Sequence, residues 1–369
     1  MSYLICAVIS VFILYYIETN KLKCTTNISI IYCHQYLYNF IFFILLIYWT
    51  LLIGLQYEVG SDYNSYKYLF INGTFNKKYE YLFYIFSIFI SKYKIHYQLG
   101  FILIALLQFL LFLIFLKKIK INRYYLFIFL FFFYCVSFYN QTNTIRQYTA
   151  SYFLLLSIWY AYKKNFFKYI LFIILGSLFH ISLLAFLPLY FIVNKILSKH
   201  ILLFILLISF LFSFIKSEFL VVKLLSLFKT YNNYLLSRYL TEEISLINKL
   251  TKYIYIPFYL YSLKFLNYLK GKDRYFYQLG FIFYSLKLFC FSSLLLSRFS
   301  MYLEIMAIFP IYYLLLFFLT YKKENNHNRF ILFYSFIFVS VSMFLLKVFI
   351  FSSGEYAYKS ILSNILLIK

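Results

Sequence analysis

The chain has 369 residues, of which 64% are hydrophobic and 12% are charged, and its formal net charge is +24. A soluble domain has about 45–50% apolar and about 25% charged residues, so the composition excludes an ordinary soluble protein. The excess of Lys and Arg lies in short connections between apolar runs. This placement favours contact with anionic lipid headgroups, or with a lipid pyrophosphate, over nucleic-acid binding.

The apolar runs predict an all-α, polytopic integral membrane protein. They do not alternate with the period of two residues that the strands of a membrane barrel would show. Since a membrane-crossing helix needs about 20 residues, we expect roughly ten to twelve membrane helices in a single polytopic transmembrane domain over residues 1–369. A shorter run at 80–92 fits either a crossing helix or an interfacial or re-entrant one. The other runs fall at about 3–17, 37–55, 98–116, 124–139, 147–162, 169–193, 201–215, 253–269, 275–297, 299–319 and 330–350.

Clusters of Lys and Arg orient the helices, because cytoplasmic connections of membrane proteins carry an excess of these residues. The cytoplasmic clusters are at 117–123, 163–168, 270–274 and 322–329. Three connections and Arg298 can then face the extracytoplasmic side, the first of the connections only if 80–97 does not cross the membrane. These connections are 56–79, 140–146 and about 216–252. Simple alternation of helices across the membrane gives the wrong number of crossings between the clusters at 163–168 and 270–274. Either 169–193 or 201–228 is therefore predicted to be irregular.

An acidic cluster follows the apolar run at 37–55. Asp62, one of only two aspartates in the chain, lies there with Glu58. Ionisable groups at a membrane border are costly unless they are solvated or paired, so the cluster predicts either a polar cavity or a solvated loop. Gly60 allows a tight turn that would direct both carboxylates into one space. The charged residues that follow are interpreted as surface charges: Lys67, Lys77, Lys78 and Glu80.

A second polar cluster, which contains Asn143, Arg146 and Gln147, lies at the start of the helix predicted over 147–162. An arginine at the N-terminus of a helix is unfavourable with respect to the helix dipole. A guanidinium binds phosphate through two parallel hydrogen bonds, and the N-terminal amides of a helix also favour anions. Arg146 is therefore a candidate phosphate or pyrophosphate ligand. The alternative is a side chain that only extends towards the membrane surface.

Three further features have two interpretations each. His180 is flanked by apolar residues and is either a neutral packing residue or a functional one. Arg298 separates two apolar runs, either as a second anion ligand or as a pin between two helices. Cys24 and Cys33 share one polar connection and either form a disulfide or stay unpaired.

Nucleotide-binding, zinc-protease and nucleophile-elbow motifs do not occur in the sequence. Neither ATP-driven transport nor soluble-type hydrolysis is therefore supported, and no cofactor or metal is expected.

Five segments resemble, in the same order, the sequence pattern of the EpsG family. The segments, each with the family pattern, are Tyr57–Tyr66 (vGtDyxxY), Glu80–Phe83 (E-x-g-f), Asn143–Ala150 (n-x-i-R-Q-x-l-A), Gly176–Ser182 (a-x-l-f-H-x-S) and Arg298–Tyr302 (R-x-x-x-Y). The matches span about 57–302, most of the chain. At Gln56 the chain departs from the family, which often has Arg there.

The resemblance implies a Wzy-like polymerase of surface polysaccharide (O-antigen, capsule or exopolysaccharide) in the bacterial cytoplasmic membrane. Such an enzyme joins oligosaccharide repeat units carried on undecaprenyl pyrophosphate by glycosyl transfer on the extracytoplasmic face. The alternatives are another membrane glycosyltransferase or an O-antigen ligase, and a non-enzymatic transporter or flippase of lipid-linked sugars. The expected partners are the lipid-linked oligosaccharide, membrane lipids, a flippase and a chain-length regulator.

The implied reaction also suggests roles for particular residues. A departing pyrophosphate needs a cation, which Arg146 would supply together with Arg298, so that no metal is required. An attacking hydroxyl needs a general base. The expected catalytic residues are Asp62, Arg146, His180 and Glu58, and the expected substrate-binding residues are Tyr63, Gln147, Arg298 and Tyr302.

Overall fold

A computed structural model describes residues 1–23, 28–73, 80–135, 137–193, 195–215, 244–320, 327–350 and 356–362. It is 81% helical, and these residues contain no strand, which confirms the all-α prediction. Parts of the two long predicted loops, 74–79 and 216–243, lie outside the described residues. Cys24 also lies outside the described residues, so the two alternatives for Cys24 and Cys33, a disulfide or unpaired thiols, both stay predictions.

The helices of the described residues are numbered here in chain order. They are α1 (Ser2–Lys23), α2 (Ile28–Gly54), α3 (Tyr63–Asn72), α4 (Tyr81–Lys92), α5 (Tyr97–Ile119), α6 (Tyr124–Phe133), α7 (Ser137–Asn140), α8 (Ile145–Tyr162), α9 (Phe166–Ser177), α10 (Leu189–Val193), α11 (Lys199–Phe212), α12 (Leu246–Tyr253), α13 (Ile256–Ser262), α14 (Gly271–Cys290), α15 (Leu294–Phe299), α16 (Ile308–Thr320) and α17 (His327–Leu345). Short 3-10 segments cover Ile181–Phe186, Leu263–Tyr268 and Ser300–Tyr302.

The chain is a membrane protein with several helices of spanning length. Four described segments are long and apolar enough to cross a membrane: one each in α1, α2 and α5, and Arg329–Ile350, which begins in α17 and continues through the π-helical segment Leu346–Ile350. A fifth span results if the bent pair Leu294–Leu303 and Ile308–Thr320, which turns by 48°, counts as one. This number is lower than the roughly ten to twelve expected at about 20 residues per span. Several apolar runs are divided by backbone turns into helices of 10–17 residues, which hydropathy alone does not reveal.

Two of the topological expectations concern short or broken helices. Helix α4 has 12 residues, below the length of a membrane span, in agreement with a segment that does not cross. The run at 169–193 is irregular, because α9 ends at Ser177 and a 3-10 segment begins only at Ile181. The alternative, 201–228, lies outside the described residues beyond residue 215. A span broken at membrane depth exposes backbone groups that need other partners, which is typical of a site lined by protein.

The chain forms two compact units, residues 1–192 with 340–369 and residues 193–339, and the single transmembrane domain stays a prediction. In unit one, α8 packs against both α5 and α9. Gln108 of α5 donates to the Ile145 carbonyl and to the Thr149 hydroxyl, both at 3.0 Å. These buried bonds fix the first turn of α8, which carries Arg146.

The C-terminal segment 356–362 contributes to unit one as well. It pairs with the end of α2 through an isolated antiparallel bridge between Gln56 and Ser360. The Tyr358 hydroxyl donates to the Leu52 carbonyl at 2.6 Å. The bridge holds the point at which the chain leaves α2 and enters the acidic cluster.

Unit two is organised around α14, which packs against α11 and α16. A Cβ at Gly280 of α14 would lie 2.5 Å from the Met306 carbonyl oxygen, so this close approach requires glycine. Lys287 of α14 and Glu304 form an ion pair with Nζ and Oε1 3.3 Å apart, and their side chains are only 5% and 4% exposed. Because Glu304 lies in the turn of the bent pair, the ion pair attaches that turn to α14.

Candidate functional site

A buried carboxylate, Glu80, joins two of the predicted site residues in unit one. Its Oε2 accepts a hydrogen bond from Arg146 Nη1, and its Oε1 lies 2.5 Å from His180 Nδ1. The Glu80 side chain is 8% exposed, whereas those of Arg146 and His180 are 28% and 26% exposed. The carboxylate is therefore enclosed, while the guanidinium and the imidazole each retain an accessible part.

The turn after α9 places His180 beside Glu80. The Leu178 carbonyl in this turn accepts from the N–H of Leu82 at 3.1 Å, in the first turn of α4. The first N–H groups of a helix have no partner inside it. This bond therefore satisfies the start of α4 and brings Glu80, the N-cap residue of α4, close to His180.

His180 does not lie within an apolar helix, as its flanking residues suggested. Its backbone is extended, with φ −152° and ψ 112°, between α9 and the 3-10 segment. Gly176, one turn earlier, allows α9 to approach α8: a Cβ there would lie 2.8 Å from the Cβ of Phe153. The break in the helix and this close packing together present the imidazole to Glu80.

The neighbours of Glu80 determine its charge state. Burial raises the pKa of the carboxyl, but hydrogen bonding to His180 and the charge and hydrogen bond of Arg146 outweigh burial and hold the pKa below its ordinary value. Glu80 is consequently ionised at neutral pH and acts as an acceptor towards both partners.

Two aromatic rings complete the surroundings of Arg146. Its Nε donates to the Tyr66 hydroxyl at 3.4 Å, and its Cζ lies 5.7 Å from the Tyr66 ring centroid and 5.6 Å from that of Phe83. Both distances are in the range of cation–π attraction. Tyr66 belongs to α3 and Phe83 to α4, so the packing of these two helices fixes the position of the guanidinium.

The acidic cluster is attached directly to the start of α8. Asn143 Oδ1 accepts from the Asp62 N–H at 2.8 Å and from the Ser61 hydroxyl at 3.3 Å. Because a backbone N–H can only donate, the first bond fixes which end of the amide faces the loop. Asn143 lies three residues before Arg146, so the loop at 60–62 is next to the arginine, as the topology predicted.

Gly60 makes this attachment possible, since its φ is +78° and a Cβ there would lie 2.6 Å from Asn143 Oδ1. We expect Gly60→Ala to separate the loop from α8 and to lower the free energy of unfolding by more than about 1 kcal/mol. Thermal unfolding of the detergent-solubilised protein measures the loss. Gly271→Ala is the matched control, because Gly271 also has positive φ but no atom within 4 Å of its added Cβ. Equal losses in the two variants would contradict the contact with Asn143.

The other predicted residues of unit one take different places. Glu58 is exposed and adopts a left-handed backbone with φ +52°, and Asp62 is half-buried. Tyr63 is 1% exposed, and its ring is stacked on that of Phe101 with centroids 5.1 Å apart. Gln147 is buried as well. Tyr63 and Gln147 thus lie in the core below the surface of the site, and their contact with a substrate stays a prediction.

Two predicted residues belong to unit two. Arg298 lies in the last turn of α15 and is partly exposed, whereas Tyr302 is buried. Both belong to the bent pair whose turn contains Glu304. Their part in substrate binding stays a prediction.

The sequence interpretation missed the central residue of the site. The interpretation of Glu80 as a surface charge is wrong, because Glu80 is buried between Arg146 and His180. One signal was available, since Glu80 is the first residue of the E-x-g-f match. Tyr66, which ends the match at Tyr57–Tyr66, was likewise given no role.

Comparison with known proteins gives one result. The profile of the EpsG family matches residues 35–361, nearly the whole chain and all of the described site. Curated proteins and solved structures give no match. The extent of the match and the apolar helices agree, and the chain therefore belongs to the EpsG family as an exopolysaccharide-related membrane protein.

Proposed function

We propose that the chain is a Wzy-like polymerase of surface polysaccharide, whether O-antigen, capsule or exopolysaccharide. It joins repeat units linked to undecaprenyl pyrophosphate by glycosyl transfer on the extracytoplasmic face of the bacterial cytoplasmic membrane. The observation that carries this proposal is the guanidinium of Arg146, fixed by Glu80 and by two aromatic rings at a site that stays partly accessible.

The chemistry of the leaving group supports this assignment. When the glycan leaves its lipid carrier, negative charge develops on the pyrophosphate, and a cation already held in place stabilises that charge without reorganisation. Arg146 meets this requirement, because Glu80 and Tyr66 hold it while 28% of its side chain remains exposed. A guanidinium also matches the geometry of phosphate oxygens better than an ammonium group does.

Groups suited to a carbohydrate lie beside this cation. Asp62 and Glu58 offer carboxylate oxygens to sugar hydroxyls from the loop that Asn143 holds. Since Asn143 Oδ1 is occupied by the loop, its NH₂ group is the part that donates to a sugar oxygen. In this proposal Arg146 binds the pyrophosphate, the loop binds the glycan, and a flippase and a chain-length regulator act as partners.

The surface glycans of a strain in which this gene is deleted test the proposal. Loss of a polymerase leaves single repeat units on the final acceptor, because transfer to that acceptor continues without chain extension. Loss of a ligase leaves long chains on the lipid carrier, and loss of a flippase leaves lipid-linked units on the cytoplasmic face. Either of the last two patterns would overturn the polymerase proposal.

A further inference from the structure

We propose that Glu80 and His180 form a dyad in which Glu80 positions the imidazole and His180 Nε2 accepts the proton of the attacking sugar hydroxyl. This inference rests on the proposed function and deepens it, because it assigns the general base and adds Glu80 as a positioning residue. It also identifies the group that links proton acceptance to leaving-group stabilisation.

The contact between the two side chains fixes the tautomer of the imidazole. His180 Nδ1 lies 2.5 Å from Glu80 Oε1, and an ionised carboxylate only accepts hydrogen bonds. Nδ1 therefore carries the hydrogen, and in the neutral ring Nε2 has the lone pair. Within the described residues Nε2 has no hydrogen-bond partner, and 26% of the side chain is exposed, so this nitrogen is available to a bound hydroxyl.

The three carboxylates of this region are less suited to the task. Both oxygens of Glu80 are already engaged, one by His180 and the other by Arg146. Asp62 lies on the loop assigned to glycan binding, and its Oδ1 shares the single hydroxyl proton of Ser61 with Asn143 Oδ1, at 3.2 and 3.3 Å. Glu58 is exposed, so water competes with an acceptor hydroxyl for its carboxylate oxygens.

The shared carboxylate also places the two catalytic groups next to each other. In the transfer step the acceptor oxygen forms a bond to the anomeric carbon and its proton moves to His180 Nε2. The bond from the anomeric carbon to the pyrophosphate oxygen breaks, and that oxygen takes the electron pair. The imidazolium is then balanced by Glu80 and the departing pyrophosphate by Arg146, and the proton is afterwards released to water.

Initial rates of the full-length protein in lipid nanodiscs test the dyad. The substrate is the pool of lipid-linked repeat units extracted from the deletion strain, and added undecaprenyl pyrophosphate is the binding probe, read as its inhibition constant. We expect His180→Gln to lower kcat by about 10²-fold or more, the usual contribution of a general base, and to leave the inhibition constant within about twofold.

Glu80→Gln gives the readout that a merely structural role would not produce. It keeps an acceptor for His180 Nδ1 but removes a negative charge that competes with pyrophosphate for Arg146. We expect kcat to fall by about tenfold or more while the inhibition constant stays the same or decreases. A residue needed only for folding would weaken turnover and probe binding together. If Glu80→Gln is not monodisperse, Glu80→Asp takes its place. A reduced kcat with an unchanged inhibition constant then supports the positioning role of Glu80.

Two matched controls accompany these variants. His200→Gln changes an exposed histidine, and Glu18→Gln changes a buried glutamate that accepts from the Tyr124 N–H at 2.7 Å. Both are expected to keep wild-type rates.

The dyad is overturned, and the proposed function stays intact, if the wild type is active and His180→Gln stays within about threefold of its kcat. A Glu80→Gln variant that loses both kcat and affinity for undecaprenyl pyrophosphate also overturns the dyad and leaves the proposed function intact. A wild type without any transfer overturns both proposals.

Discussion

Replacing Arg146 with alanine is expected to abolish chain extension, with kcat/KM reduced by at least about 10³-fold. Preorganised cations that stabilise a departing phosphoryl or oxyanion group contribute effects of this size. The substitution also leaves the buried Glu80 carboxylate with His180 but without its guanidinium partner. The measurement is the glycan ladder of the complemented deletion strain, together with initial rates of the purified variant.

Arg146→Lys separates charge from geometry. Lysine keeps the positive charge, but it cannot present parallel donors to a phosphate or lie against Tyr66 and Phe83 in the same way. We therefore expect an intermediate loss, about 10- to 100-fold, and shortened chains. Arg329→Ala is the matched control, since Arg329 belongs to a cluster predicted to be cytoplasmic and lies over the ring of Phe317 in unit two. A ladder of normal length from Arg146→Ala would exclude the arginine from the reaction.

Features that depend on composition and on the order of apolar runs and polar connections could be predicted from the sequence. The all-α membrane class follows from apolar runs without period-two alternation, because hydrocarbon tolerates only helices and closed barrels and the strands of a barrel would alternate. The acidic cluster could be expected near Arg146, because the connections 56–79 and 140–146 are predicted to face the same side of the membrane. The hydrogen bond from the Asp62 N–H to Asn143 confirms that these connections meet.

The pairing of Glu80 could not be predicted, because nothing local distinguishes a buried carboxylate from a solvated one in the same short connection. Its partners lie 66 and 100 residues away along the chain. Their approach depends on the Leu178 carbonyl, which binds the start of α4, and on the close contact of Gly176 with α8. The same limit applies to segment 356–362, whose single bridge to the end of α2 carries no periodic signal.

Hydropathy alone does not show where the run at 169–193 is broken, and the reason is physical. The run is apolar throughout except for a few small or polar residues, so its mean hydropathy is that of a span. The chain nevertheless turns at 178–180, since the contacts formed there with α4 replace the hydrogen bonds of a continuous helix. A side chain in a break of this kind, such as His180, can point in a direction that a position inside a helix would not allow.

The largest expected effect on stability concerns Lys287 in unit two. We expect Lys287→Met to lower the free energy of unfolding by about 3–5 kcal/mol, because it leaves the Glu304 carboxylate buried without its lysine partner. The two side chains are 5% and 4% exposed, so water cannot readily replace the lost charge. Thermal unfolding of the purified protein and its amount in the membrane fraction both report this loss.

The double variant Lys287→Met with Glu304→Gln tells whether charge pairing or packing is responsible. Since removing both charges of a buried pair is far less costly than removing one, the double variant should recover most of the stability lost in Lys287→Met. Recovery would show that the ion pair attaches the turn of the bent pair to α14 by electrostatics. A double variant as unstable as Lys287→Met would instead assign the loss to packing around α14, where Gly280 already touches the same turn. Because the bent pair carries Arg298 and Tyr302, activity that returns together with stability would connect this attachment to the predicted roles of those two residues.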